Sequence, residues 1–242
     1  MKKRTRIILS VCLAVLLVIG IGSNAYLSDY YHADEIALEA MAYQTDSVQT
    51  EQDGDIIWFV PEDLTAGLIF YPGGKVENTA YAPLLRACAE QGILCALVRM
   101  PGNLAVLDAN AADGLQQEHP EITTWYIAGH SLGGAMAAGY AAAHEKDYDG
   151  LILLAAYSTK NLTDTPLRVL SVYGSEDGVM NRESYEKNRA NLPADTTEVV
   201  LDGGCHAQFG SYGPQDGDGI PTLSGEEQVR QTAEAIAAFI GQ

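Results

Sequence analysis

The segment "TTWYIAGHSLGGAM", residues 123–136, carries a strand straight into a helix through Gly129-His130-Ser131-Leu132-Gly133, a G-x-S-x-G pattern. The pattern alone is weak in a chain with 24 glycines, so its surroundings decide what it means. Before it stands the strand "TTWYIAG" (123–129), and after it the alanine-rich helix "LGGAMAAGYAAAHEK" (132–146). Gly129, Gly133 and Gly134 fill the crowded positions of a turn this sharp. A serine at its apex is exposed, and the free N–H groups of the helix N-terminus point toward it, where they can stabilise an oxyanion. Ser131 is therefore a candidate nucleophile, one that requires a base to take its proton.

The same alternation extends on both sides. Apolar strands are expected at "GLIFYP" (67–72), "ILCALVRM" (93–100), "GLILLAAY" (150–157), "RVLSVYG" (168–174) and "TTEVVLDGG" (196–204). Helices are expected over "GGKVENTAYAPLLRACAEQG" (73–92, entered through its Gly-rich loop), "LAVLDANAADGLQQEHP" (104–120), "NRESYEKNRANLP" (181–193) and "GEEQVRQTAEAIAAFIGQ" (225–242). Upstream, "SVQTEQDGDIIWFVP" reads as a hairpin turning at Asp53-Gly54. Continuous apolar strands alternating with helices imply one α/β domain over 48–242, with a mostly parallel sheet of about 7–8 strands covered on both faces. Residues 28–47 read as a tether and a short helix.

The first residues differ in kind. Lys2, Lys3, Arg4 and Arg6 make residues 1–6 a basic segment, expected to stay cytoplasmic, and residues 7–22 carry no charge. Extended through weaker positions to 27, this stretch predicts a transmembrane signal-anchor, with the lipid bilayer as partner and a single-pass cell-membrane protein whose catalytic domain lies outside the cytoplasm. The alternative is a signal peptide cleaved near Ala25. Residues 1–33 hold those four basic residues and Asp29; the remainder has 10 basic and 31 acidic residues, a net charge of −21. Such a surface repels nucleic acid, which is excluded as a partner. Cys12 lies in the apolar segment, while Cys88, Cys95 and Cys205 show no metal-ligand spacing; Cys88 and Cys95 read as buried small hydrophobes.

On "GHSLGG", "YGSEDGV" and "GGCHAQFG" the chain resembles the α/β-hydrolase superfamily, in a compact bacterial form similar to dienelactone-hydrolase-like proteins (the fold-5 type of domain). The resemblance implies nucleophile, acid and histidine in that chain order. The acid should follow "RVLSVYG", where Asp177 is the candidate and Glu176 the alternative; the histidine should follow the last strand, where His206 stands. His206 would take the Ser131 proton while Asp177 holds its ring. The resemblance also gives an oxyanion hole, with Leu132 N–H as one donor and "PGGKVE" (72–77) supplying the other: Gly74, or alternatively Lys75. His130, within the elbow, is expected to point away from the site.

Two features depart from this pattern. Cys205 precedes the histidine, where packing is a better reading than a second nucleophile, and "GSYGPQDGDGIP" (210–221) is long, a rim or, through Asp216 and Asp218, a weak metal reading. Neither metal nor cofactor is expected. Only about ten residues separate the strands at 150–157 and 168–174, too few for a lid. The site is then shallow, with Lys75, Glu77 and Asn103 as lining residues. The activity implied is a serine carboxylesterase acting on small or accessible esters through an acyl-enzyme. Acyl transfer, amide or thioester hydrolysis, and a non-catalytic envelope binding protein are the alternatives.

Overall fold

The computed structural model describes residues 3–241. Met1, Lys2 and Gln242 lie outside the described residues, and with Lys2 so does the start of the expected basic segment. The chain divides into two compact units, residues 1–30 and 31–242.

The first unit is one helix, α1 (Lys3–Ser28). The transmembrane anchor expected over 7–27 is not upheld, and with it go the bilayer partner and the single-pass membrane placement. No helix among the described residues is long and apolar enough to cross a membrane. The helix opens on Lys3, Arg4 and Arg6 and closes on Ser23, Asn24 and Ser28. The apolar run between them, residues 7–22, rises only about 24 Å as a helix, short of a hydrocarbon core of about 30 Å.

The second unit is built on an eight-stranded sheet in the order β1-β2-β4-β3-β5-β6-β7-β8. Its strands are β1 (Val48–Asp53), β2 (Ile56–Pro61), β3 (Ala66–Tyr71), β4 (Ile93–Val98), β5 (Trp125–His130), β6 (Gly150–Leu154), β7 (Arg168–Gly174) and β8 (Thr197–Leu201). The β1–β2 hairpin turns at Gly54 and joins β4 antiparallel; every later pairing is parallel. Strand alternation sorts the core into two layers. Leu68 and Phe70 of β3, with Tyr126 and Ala128 of β5, face α3 (Ala82–Ala89) and α7 (Gly225–Ile240). Ile69 and Tyr71, with Trp125 and Ile127, face α5 (Leu132–Ala143). Both helix-covered faces explain why these strands read as unbroken apolar runs.

Two readings shift. The helix expected over 104–120 is one short 3₁₀ turn (Ala105–Leu107) and a single α-turn, α4 (Leu115–Glu118). Asp108, Asn110 and Asp113 favour turns over helix, and Gly114 at φ 85° starts the α-turn late. Residues 31–42 are packed into the second unit. Tyr31 bridges Val76, and Asp34 caps α2 (Glu35–Ala42) through the Ala37 N–H. From α3, the buried Arg86 donates to Ala40 O at 2.9 Å, to Tyr43 O, and to Thr50 Oγ1 at 2.8 Å. No helix among the described residues separates β6 from β7, and α6 (Arg182–Asn188) follows β7.

Candidate active site

β5 ends at His130 and α5 begins at Leu132, leaving Ser131 alone to make the turn at φ 51°, ψ −119°. A non-glycine residue there costs about 1–3 kcal/mol and persists only where its surroundings hold it. They do so here: Ser131 N–H donates to Leu154 O at 2.9 Å, at the end of the neighbouring strand β6. On the other side, a Cβ on Gly133 would stand 2.2 Å from the carbonyl oxygens of both Tyr71 and Pro72. The first turn of α5 therefore lies directly on the end of β3, a contact only glycine permits.

That contact brings the 72–77 loop beside the elbow. A Cβ on Gly74 would come within 2.8 Å of the Leu132 side chain. Of the loop's donors, Gly73 N–H goes to Tyr81 Oη at 2.9 Å and Lys75 N–H to Asn103 O at 2.7 Å. Among the described residues, Gly74 N–H and Leu132 N–H have no protein partner. These are the two N–H groups expected as oxyanion donors, and both are unengaged, whereas Lys75 N–H is bonded to Asn103 O.

The loops after β7 and β8 deliver the candidate acid and the candidate base. His206 Nδ1–H donates to Asp177 Oδ2 at 2.9 Å, and both side chains are almost completely shielded from solvent. The second oxygen, Asp177 Oδ1, accepts the N–H groups of Val179 (2.9 Å) and Met180 (2.8 Å), so the carboxylate is fixed in orientation. Glu176, the alternative acid, is exposed and accepts from Ser175 Oγ.

His130 departs from expectation. Rather than pointing away, its buried ring lies 4.5 Å from the His206 ring, centroid to centroid. Tyr81 Oη accepts from Gly73 N–H and shares a hydrogen bond with His130 Nδ1 at 2.8 Å. Burial first, and then repulsion from a charged His206, hold the His130 pKa well below 6.5. A neutral ring thus backs the candidate base and ties it, through Tyr81, to the 72–77 loop. The sequence signals nothing of Tyr81, which lies in an unremarkable 3₁₀ turn.

The remaining candidates have other attachments. The Glu77 carboxylate faces the 31–33 segment, accepting Ala33 N–H at 3.1 Å with His32 Nδ1 3.4 Å away. Lys75 and Asn103 both sit at positive φ and are joined backbone to backbone, so they shape the loop beside Gly74. Cys205 is clamped on both sides by the buried Gln228, N–H to Oε1 at 3.0 Å and O to Nε2–H at 2.8 Å. Burial pushes its thiol up to about 11, which suits packing rather than nucleophilic attack.

No curated protein matches the sequence. Solved structures share the fold at low identity. TT1662 from Thermus thermophilus is 16% identical with a TM-score of 0.59, covering 81% of this chain and 99% of its own. A predicted CIB-like hydrolase from Thermoplasma acidophilum is 15% identical with a TM-score of 0.58, covering 79% and 99%. Est1E from Butyrivibrio proteoclasticus is 14% identical with a TM-score of 0.57, covering 81% and 100%. The model of the alpha/beta hydrolase family matches residues 67–230, more than half of the sequence and every strand from β3 to β8. The chain belongs to the alpha/beta hydrolase family.

Proposed function

We propose that the protein is a serine hydrolase of carboxylic esters, with Ser131 as nucleophile, His206 as base and Asp177 as the acid that orients it. The observation that carries this reading is the buried His206–Asp177 hydrogen bond, its ring packed against the residue that precedes a strained, uncapped Ser131. Ser131 Oγ attacks the ester carbonyl carbon as its proton passes to His206 Nε2, while Nδ1–H remains on Asp177. Negative charge developing on the carbonyl oxygen is met by Gly74 N–H and Leu132 N–H. His206 then protonates the departing alkoxide, and the same base activates the water that releases the acid. Small or accessible esters fit best, since no helix is inserted between β6 and β7 among the described residues.

The test is turnover of p-nitrophenyl acetate and butyrate by the full chain beside Ser131→Ala. Loss of kcat/KM by about 10³-fold or more in the variant is expected, with unchanged circular dichroism. A fluorophosphonate should label Ser131 in the wild type. Turnover surviving in Ser131→Ala would refute the assignment, and a folded wild type that neither turns over nor labels would return the fold to a binding role.

A further inference from the structure

The loop 210–221 reaches back across the acid and base loops. Asp218 Oδ1 accepts N–H groups from Gly178 (3.1 Å), His206 (3.1 Å) and Gly219 (2.9 Å), and Oδ2 accepts Ala207 N–H at 2.8 Å. Gly178 directly follows the candidate acid, and His206 is the candidate base. One carboxylate therefore holds the backbone of both loops. The approach is close: a Cβ on Gly219 would stand 1.9 Å from Glu176 O. The start of the loop is anchored separately, with Tyr212 buried in the core and Ser211 bonded backbone to backbone with Ala80 (2.7 Å) and Asp34 (2.9 Å). Beyond it, a cavity of about 940 Å³ lies beside the rest of the loop, lined by Ile36, Pro83 and Val229 together with Pro214, Asp218 and Ile220.

We infer that Asp218 is a positioning residue that sets His206 against Asp177 by stapling their two loops together. This rests on the Ser131–His206–Asp177 reading but is tested apart from it. Burial disfavours the charged carboxylate, yet the N–H bonds from Ala207, Gly178 and His206 and the Cys205 thiol outweigh it and hold Asp218 below its ordinary value. The charge thus persists through neutral pH. Nearer the strands the loops keep separate ties, Glu176 N–H to Gly204 O (2.8 Å) and Gly203 N–H to Ser175 Oγ (2.8 Å), so loss of Asp218 should loosen the site without unfolding it.

The first measurement is the low-field proton resonance of the His206 Nδ1–H, assigned by its loss in Asp177→Asn. It should be present in the wild type, retained in Asp218→Asn, whose amide oxygen can still accept at the Oδ1 position, and broadened away in Asp218→Ala while the core methyl spectrum is unchanged. Esterase kinetics provide the second readout. With Asp218→Ala, kcat should fall about 100-fold at nearly constant KM, with fluorophosphonate labelling slowed in proportion; with Asp218→Asn the fall should stay within about tenfold. Should Asp218→Ala not fold, the Asn and Glu variants carry the test: Asn keeping the resonance and Glu, one methylene too long, losing it. An Asp218→Ala protein that keeps the resonance at its wild-type shift overturns the proposal, as does an Asp218→Asn protein that loses it. A wild type that shows the resonance and its Asp218 dependence but cleaves no ester and takes no label would sink the esterase reading alone.

Discussion

At the scale of single residues, the site contains two buried imidazoles side by side with different tasks. His206 has a carboxylate; His130 has Tyr81 and an apolar surround, and stays neutral. A histidine depressed in the folded state binds its proton more readily when unfolded. Its contribution to stability is full above the unfolded value, about 6.5, and is lost as pH falls from there toward the folded value. Within that window the loss is up to about 1.4 kcal/mol per pH unit. The wild type should therefore lose more Tm between pH 7 and pH 5 than His130→Gln does; equal losses would show that His130 is not the group responsible. Asp177→Asn should lower kcat by about 10³–10⁴-fold with little change in KM, because the amide favours the wrong His206 tautomer. A drop under tenfold would move the acid role elsewhere. The sequence offered Ser131, Asp177 and His206 as candidates, the first from its strand-turn-helix context and the others from a resemblance, and the fold brings the last two into hydrogen-bond contact. His130 and Asp218 were not. Their roles depend on which way a ring turns and where a twelve-residue loop lands, and neither leaves a local pattern.

At the scale of elements, strand reading succeeded wherever both faces are buried, since an apolar run from Leu151 to Leu154 or Leu68 to Tyr71 leaves little else to infer. It failed at 104–120, where Ala and Leu suggest helix but the interspersed Asp and Asn draw the backbone into turns. The short helix α2 was legible, yet its attachment was not. Arg86 provides that attachment, in the middle of α3, by donating to the carbonyls of Ala40 and Tyr43 and to Thr50. Arg86→Met should cost about 2–4 kcal/mol in chemical denaturation, since charged hydrogen bonds are lost and buried carbonyls are left open. Limited proteolysis should then cut first between residues 30 and 47. Cleavage elsewhere at wild-type stability would show α2 held by packing alone.

At the scale of the whole molecule, 32 acidic residues stand against 14 basic ones. Like charges at this density repel one another across the surface of a folded domain, and salt screens them. Raising NaCl from 20 to 300 mM should raise Tm by a few degrees, and a fall would mean that specific ion pairs outweigh the general repulsion. The acidic balance was plain from composition. The reach of α1 was harder to judge: its sequence looked long enough for a bilayer only when the weaker positions 23–27 were counted with its apolar run.

The staple at Asp218 also sets a schedule. Synthesis runs from N- to C-terminus, so Ser131 is made 87 positions before Asp218. At about 5–20 residues per second, the serine exists for several seconds before the residue that aligns its base has been joined to the chain. β8, the edge strand beside β7, and His206 arrive in the same final stretch. On the proposed reading, a nascent chain halted before residue 200 carries Ser131 without the base that would activate it. On the same reading the chain stays inert until Asp218 has been added.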